Sequence, residues 1–202
     1  MEQAFEFVVS AGRLLPVTVV VAISLFVVKE VLEGKRRRQG NSRKRRAVCR
    51  LLANEIERNH WSIKSLRESL GSVERALGSP NEEFTVITDT LGGRLVRGTD
   101  DGEMTFERPI PTAHLEGLAS NLMLLAELDE TLFEQALITG DALKELEHVI
   151  NLLIDYGSDD SKRWMLDTYP DYARSELAEI EGTISNFYVK LTGQSLKAHR
   201  LR

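Results

Sequence analysis

An uncharged run near the start of the chain, LLPVTVVVAISLFVV (Leu14–Val28), constrains the fold more than any other feature. A helix that is apolar on every side needs apolar surroundings, in a membrane or in a protein core. The run has about 15 residues, whereas a membrane helix usually needs about 20. Arg13 and Lys29 can extend it, because their charged ends reach the headgroups while their stems stay in the apolar layer. We therefore predict a single transmembrane helix that includes Leu14, Val20, Ile23, Leu25 and Val28.

Two other interpretations of this run remain open. A secretory signal peptide would have a basic N-terminal region and a small-residue cleavage site. The chain instead begins with Glu2 and Glu6 and has no A-x-A site after the run, which argues against a signal peptide. A buried core helix of a soluble domain is the other alternative, since short apolar runs are also typical of such helices.

A dense basic segment, the basic collar, follows the apolar run. About ten Lys and Arg lie within about 20 residues after the run, and only Arg13 precedes it. The positive-inside rule therefore places the N-terminus outside and the rest in the cytoplasm, at the cell (inner or plasma) membrane. We expect the collar to contact anionic lipid headgroups, at about 1 kcal/mol per basic residue. Its members are Lys35, Arg36, Arg37, Arg38, Arg43, Lys44, Arg45 and Arg46.

Charge divides the chain into a basic and an acidic part. Residues 1–50 carry 11 Lys/Arg and 4 Asp/Glu, whereas residues 51–202 carry 15 and 27. The basic part lacks the interleaved aromatic residues of single-strand binding surfaces, which argues against nucleic acid as a partner. The predicted parts are residues 1–32 with the transmembrane helix, residues 33–46 as a basic juxtamembrane linker, and residues 47–202 as an acidic helical-bundle domain.

Two features near the collar carry further expectations. Gly34, Gly40 and Asn41–Ser42 favour a flexible joint within the linker. Cys49 is the one cysteine, so an intrachain disulfide is excluded and a reducing compartment fits. Its position near the predicted membrane surface leaves both a buried thiol and acylation open.

Ala47–Leu77 has the strongest periodicity in the chain. Its apolar residues recur at alternating steps of four and three, the 3.5-residue seam that is typical of coiled coils and bundles. Asn59 is the polar member of the seam, and it can either fix the register of an oligomer or bond to a neighbouring element of the same chain. We predict a helix that ends at Gly78. Its interaction seam is Leu52, Ile56, Asn59, Ile63, Leu66, Leu70, Val73 and Leu77.

Residues at about 81–111 interrupt the helical pattern. The β-branched stretch Phe84–Thr90 suits a strand, although a short helix remains an alternative. Arg94–Arg108 predicts a β-hairpin with Asp101–Gly102 in its turn. A sheet this small must pack against other elements to be stable.

The rest of the chain predicts helices joined by short connections. Thr112 is expected to cap a long helix that starts at Ala113, with a joint at Gly140–Asp141. Short joints favour antiparallel neighbours. The fold class is therefore mainly α, with an N-terminal single transmembrane helix and a cytoplasmic antiparallel bundle of three or four long helices that carries a small β-hairpin insert. The later segments are Ala142–Tyr156, a short helical piece at Ser161–Tyr169, and Pro170–Leu191 closed by Gly193.

Two Glu-x-x-His pairs are the candidate metal ligands. Glu57 with His60, and Glu145 with His148, have the spacing that di-iron carboxylate bundles use. At about 100° per residue, these side chains mostly point away from the apolar stripes of their own helices, which argues against such a centre. No triad spacing, phosphate-binding glycine loop or CxxC pattern is present. We predict no enzyme activity, no catalytic residue, no metal ion and no cofactor.

Three segments carry a resemblance: LLANEIERNH (Leu51–His60), LEGLASNLMLLAELDETLFEQAL (Leu115–Leu137) and LKELEHVINLL (Leu143–Leu153). Their leucine spacing, with the Glu-Ile-x-x-Asn pattern of the first, resembles a broad group of small single-span bacterial membrane proteins with a helical cytoplasmic domain. The resemblance implies an anchored helical architecture and brings no activity or site residue with it.

These observations predict a membrane-anchored interaction, scaffold or adaptor protein. Its cytoplasmic bundle would recruit a protein partner, which we expect to be encoded in the same operon, or would self-associate into a homo-oligomer. A membrane effector or sensor, whose transmembrane helix oligomerises and perturbs the bilayer, is the alternative. A metal-dependent enzyme is the third class, and the geometry of the Glu-x-x-His pairs disfavours it.

Overall fold

Apolar residues at helical spacing dominate the chain, and the computed structural model, which describes residues 17–196, is mainly helical with a small antiparallel sheet. It divides into two compact units, Met1–Arg46 and Ala47–Arg202. In chain order, the elements are α1 (Val17–Leu77), β1 (Glu82–Thr88), β2 (Arg94–Asp100), β3 (Glu103–Ile110), α2 (Glu116–Leu128), α3 (Glu130–Ser158), a 3₁₀ helix (Asp160–Asp167) and α4 (Tyr169–Thr192).

The first unit contains the beginning of α1. Of the expected membrane helix, Leu14–Pro16 lie outside the described residues, and Val17–Val28 opens α1. Between residues 17 and 196, no helix offers an apolar stretch of the length that would cross a membrane. The joint expected at Gly34, Gly40 and Asn41–Ser42 is a continuous part of α1 instead. A glycine within a helix lowers its stability by about 1 kcal/mol and does not by itself interrupt the hydrogen-bond ladder.

The apolar seam of residues 52–73 lies in the core of the second unit. Ile63, Leu66 and Leu70 have no exposed surface, whereas Leu77, at the end of α1, remains 37% exposed. Residues 52–73 of the interaction seam therefore pack within the chain's own core. Self-association through another surface of the bundle stays a prediction.

α1 and α4 pack antiparallel, as contacts between their side chains show. Tyr188 donates a 2.7 Å hydrogen bond to Glu57, and Arg67 pairs with Glu181 at 2.7 Å. Residue numbers thus rise along α1 as they fall along α4. The antiparallel arrangement predicted from the short joints is present between these two helices.

The sheet has the order β1-β2-β3, and both pairings are antiparallel. The predicted hairpin is confirmed, and the first stretch is a strand rather than a helix. Asp101 (φ 49°) and Gly102 (φ 84°) both have positive φ, which is the type I′ turn whose twist matches that of the flanking strands. Phe84 and Val96 are buried, so one face of the sheet packs on the helical core.

The long helix expected from Ala113 is wrong in two respects. α2 begins only at Glu116, and the chain breaks after Leu128 rather than at Gly140. Asp129 makes this break, because its carboxylate accepts a 3.1 Å hydrogen bond from the Leu132 N–H and so caps α3. Gly140 lies inside α3, where a Cβ would be 3.1 Å from Leu118 of α2, so this glycine permits close helix packing.

The C-terminal part follows the expected pattern. A short helical piece, here a 3₁₀ helix, connects α3 to α4. α4 ends at Gly193, whose left-handed conformation (φ 72°) lets its N–H reach the carbonyl of Val189. These ends were predictable because each depends on residues close together in sequence.

Candidate binding site

An aromatic pocket forms where the 3₁₀ helix turns the chain from α3 into α4. Asp159 starts this turn by accepting hydrogen bonds from the Ser161 N–H (2.9 Å) and hydroxyl (2.7 Å). The pocket has a volume of about 570 Å³. It is lined by His148, Leu152, Tyr156, Trp164, Met165, Thr168, Tyr169 and Tyr172.

Tyr169 and Tyr156 form two fixed walls of the aromatic pocket. Their ring centroids are 5.9 Å apart and their planes meet at 89°, the edge-to-face arrangement that aromatic pairs favour. The Tyr169 hydroxyl donates a 2.7 Å hydrogen bond to the carbonyl of Val149 on α3. Burial raises the pKa of this phenol, so it stays protonated and keeps its donor role. The pair therefore gives the pocket a rigid corner.

Tyr172 lies on α4 about one turn after Tyr169 and contributes a third ring to the aromatic pocket. Its hydroxyl donates a 2.9 Å hydrogen bond to Oε1 of Glu145 on α3. Loss of solvent, followed by this hydrogen bond and the charge of Glu145, raises the pKa of Tyr172 to about 12. The Tyr172 phenol therefore remains neutral at physiological pH.

Trp164 is the most exposed aromatic ring of the pocket. The 3₁₀ helix presents it with 68% of its surface accessible. Tryptophan is enriched in the cores of protein interfaces, because a large flat ring buries much area at a small loss of side-chain entropy. Trp164 therefore presents a large aromatic surface to solvent.

A second, polar pocket of about 370 Å³ lies at the beginning of α2. Glu55 reaches into it from α1 and accepts a 3.1 Å hydrogen bond from the Leu118 N–H. Burial raises the pKa of Glu55, and the backbone hydrogen bonds of Leu118 and Gly117 offset part of that shift. Leu115, the residue before α2, offers no side-chain cap. Glu55 therefore acts as the cap of α2, and we assign this carboxylate a structural role.

Buried polar side chains of α1 hold the segment that leads into α2. Asn59 donates to the His114 carbonyl (2.7 Å) and accepts from the His114 N–H (2.8 Å). Ser62 and Ser69 donate to carbonyls of the same extended segment, at 2.7 and 3.1 Å. Of the two roles considered for Asn59, the structure shows the bond within one chain. The two serines were not predicted from the sequence, although their seven-residue spacing places them on one face of α1.

The predicted membrane and collar residues all belong to the first unit. Val20, Ile23, Leu25 and Val28 are exposed, as are the eight collar residues, and Leu14 lies outside the described part. Cys49 is half-buried against the core of the second unit. None of these residues lines the aromatic pocket.

The two Glu-x-x-His pairs are engaged separately in the structure. Glu57 accepts from Tyr188 and Glu145 accepts from Tyr172. His60 Nδ1 lies 3.4 Å from Glu181 Oε1, close enough for attraction if protonated but without hydrogen-bond geometry. Over residues 17–196, no cluster of three or more His, Cys, Asp or Glu side chains has the arrangement of a metal site.

The aromatic pocket itself was not predicted from the sequence. A signal was present: three of the four tyrosines and one of the two tryptophans fall between residues 156 and 172. What could not be read was that two helices and a 3₁₀ turn would bring these rings around one cavity.

No protein-family model, curated protein or solved structure matches this chain.

Proposed function

We propose that this protein is a membrane-anchored interaction protein. The apolar run would hold it in the bilayer, the basic collar would lie at the cytoplasmic surface, and the acidic second unit would bind a protein partner. The observation that carries the anchor is the exposure of the apolar residues at the start of α1. Residues 19–28 are all exposed.

The exposed residues surround the helix rather than forming one stripe. Leu25, Phe26, Val27 and Val28 are 65, 63, 52 and 54% exposed. At about 100° per residue, four consecutive side chains span most of the helix circumference. An apolar helix surface of this kind is stable in hydrocarbon, which surrounds it on every side, and unstable in water. This geometry supports a spanning helix over one that lies in the membrane plane.

The one hydroxyl in the exposed stretch is satisfied locally. Ser24 donates a 2.8 Å hydrogen bond to the carbonyl of Val20, one turn earlier in the helix. In a bilayer, polar groups must find their partners within the protein, because no water is available to them. Ser24 is therefore compatible with a lipid environment.

The basic collar also surrounds the helix. Lys35–Arg38 and Arg43–Arg46 are two runs of four consecutive basic residues within continuous α1. A helix lying on a membrane would keep its basic residues on one face. A ring of charge instead suits a helix that crosses the headgroup layer, where it meets anionic lipid on all sides.

A partner surface must lie outside residues 52–73 of the seam, since the chain itself covers these residues. The aromatic pocket with exposed Trp164 is the candidate, because aromatic anchors and pockets dominate the energetics of protein interfaces. The acidic charge of residues 51–202 would favour a partner with a basic surface.

Alkaline extraction of cell membranes tests the anchor. We expect the full-length protein to stay in the membrane pellet and the double variant Ile23→Lys/Leu25→Lys to move to the supernatant. Leu91→Lys is the matched control, since Leu91 is 93% exposed in the β1–β2 turn of the second unit. A wild-type chain that extracts freely without detergent would refute the anchor.

Cysteine labelling tests the orientation. In a Cys49→Ser background, Gln3→Cys should react with an impermeant maleimide on intact cells, whereas Ser42→Cys should react only after the cells are opened. The reverse pattern would contradict the proposed topology. Growth arrest on overexpression, abolished when Leu14–Val28 is replaced by another apolar anchor, would instead favour the bilayer-perturbing alternative.

A further inference from the structure

We propose that the aromatic pocket of Tyr156, Trp164, Tyr169 and Tyr172, backed by Glu145, binds the cationic side chain of a basic segment of a protein partner. This inference deepens the proposed function and rests on it in one respect, namely that the second unit has a protein partner. The binding chemistry follows from the pocket itself.

The rings are arranged as walls around one cavity. Tyr156 and Tyr169 meet at 89°, so they bound the cavity from two directions. Tyr172 and Trp164 complete the aromatic lining. Aromatic ring faces carry negative electrostatic potential and attract cations, and several rings around one cavity are the usual means of holding an ammonium or guanidinium group.

The charges around the pocket favour a positive guest. Glu145 accepts the hydrogen bond of Tyr172, which draws electron density onto that ring and leaves a carboxylate behind it. No Lys or Arg lines the aromatic pocket within the described residues. Lys162 acts electrostatically on Tyr156, but both oxygens of Asp155 hold its ammonium at 2.8 Å. Apart from His148, the residues that line the pocket are uncharged, and the Glu145 carboxylate lies hydrogen-bonded to one of its rings.

The two tryptophans of the chain, Trp61 and Trp164, differ in whether a cation lies over the ring. Trp61 has the ammonium of Lys64 over its ring, 5.1 Å from the centroid. Trp164 has no such cation among residues 17–196, and it is 68% exposed. The fold thus already uses a cation–aromatic contact at Trp61, whereas the Trp164 ring remains open in the lining of the aromatic pocket.

Fluorescence titration of the full-length protein in detergent tests the proposal. Trp61→Phe leaves Trp164 as the one tryptophan, and circular dichroism checks that this variant folds. The probes are the peptides Gly-Gly-Arg-Gly-Gly and Gly-Gly-citrulline-Gly-Gly with blocked ends, which differ in charge and hardly in shape. We expect saturable binding of the arginine peptide and at least tenfold weaker binding of the citrulline peptide.

Variants separate charge from packing. Glu145→Gln keeps the shape of the side chain, so it should weaken binding of the arginine peptide several-fold and leave the citrulline peptide unchanged. Tyr172→Phe keeps the ring and should weaken arginine binding less than Tyr172→Leu does. Leu91→Ala, in an exposed turn of the sheet region, is the control and should change nothing.

Two results would overturn the inference: equal binding of the two peptides, or no binding of either by folded protein. The outcome is separate from that of the membrane test. A chain that extracts as a soluble protein and still prefers arginine would refute the anchor and support the pocket. A chain that stays in the pellet without this preference would do the reverse.

Discussion

Residues 19–46 and residues 47–77 are two stretches of α1, and both are helical for different reasons. Residues 47–77 alternate charged faces with one apolar stripe, and Ile63 and Leu66 of that stripe have no exposed surface. Residues 19–46 are first apolar and then basic around the whole helix, and Leu25 remains 65% exposed. Periodicity, rather than helical content, tells which part of a helix is stabilised by its own chain and which part needs another environment.

The glycines show the same contrast. A Cβ added at Gly34 or Gly40 would meet nothing within 4 Å, whereas one at Gly117 would clash with the Glu55 carboxylate. In the first stretch a glycine is a minor weakness of the helix. Gly117, in the second unit, instead permits the close approach of the Glu55 carboxylate.

The largest difference between the two stretches should appear on truncating one leucine in each. Leu66→Ala leaves a cavity in the core and should lower the free energy of unfolding by about 2–5 kcal/mol. Leu25→Ala should change it by less than about 0.5 kcal/mol, because Leu25 is exposed. Chemical denaturation of the full-length protein in mild detergent measures both. Similar losses of unfolding free energy for the two variants would contradict the proposed difference between the two stretches.

The next effect concerns the polar member of the seam. Asn59→Leu leaves the buried main-chain groups of His114 without their partners, so we expect a loss of about 1–3 kcal/mol. Asn54→Leu, an exposed neighbour on the same helix, is the control. Hydrogen exchange should become faster at the His114 amide in the Asn59 variant alone. Unchanged stability would contradict the prediction, because the apolar gain would then fully offset the lost hydrogen bonds.

Gly117→Ala should destabilise the second unit by about 1–2 kcal/mol, because the added methyl pushes the Glu55 carboxylate away from the start of α2. Gly40→Ala, in the open first stretch, should be neutral or should increase helix content, since alanine is favoured over glycine by about 0.5–1 kcal/mol. Thermal unfolding followed by circular dichroism distinguishes them. A neutral Gly117→Ala would show that Glu55 is not needed as a cap.

The smallest effect is a pH dependence from Glu55. Its pKa in the folded state is above the ordinary 4.5, so the folded state takes up the proton at higher pH than the unfolded state does. Stability from this group should therefore increase as pH falls from neutral toward 4.5. Denaturation of wild type and Glu55→Gln at several pH values measures it. The free energy of unfolding of the wild type should rise relative to that of the variant as pH falls. A difference between the two that stays constant with pH would contradict the raised pKa of Glu55.

Local signals predicted the parts of the fold that depend on near neighbours. Asp101, Gly102 and Gly193 have positive φ, which glycine adopts readily and most other residues do not. The hairpin turn and the end of α4 could therefore be predicted from these residues alone. The break at Asp129 was missed because the leucine periodicity continues across it. Gly140 was misassigned because its role depends on Leu118, which lies on another helix.

The candidate site was predictable only in its ingredients. Trp164 and the nearby tyrosines were visible as a cluster in the sequence, but a cluster does not say whether the rings pack into a core or around a cavity. Glu55 and Asn59 are separated from their partners by about 55–63 residues along the chain. Contacts of that kind depend on the packing of whole helices.

The sequence by itself determined the charge division, the apolar run, the helix-forming periodicity and the hairpin turn, because each depends on residues within a few positions of one another. The tertiary structure decided that most of the seam is internal and that four rings surround a pocket beside Glu145. It also decided that Asn59 binds the segment before α2 and that Glu55 caps α2. The physical reason is that burial and hydrogen bonding join residues through space, and a linear pattern records only which side of its own element a residue lies on.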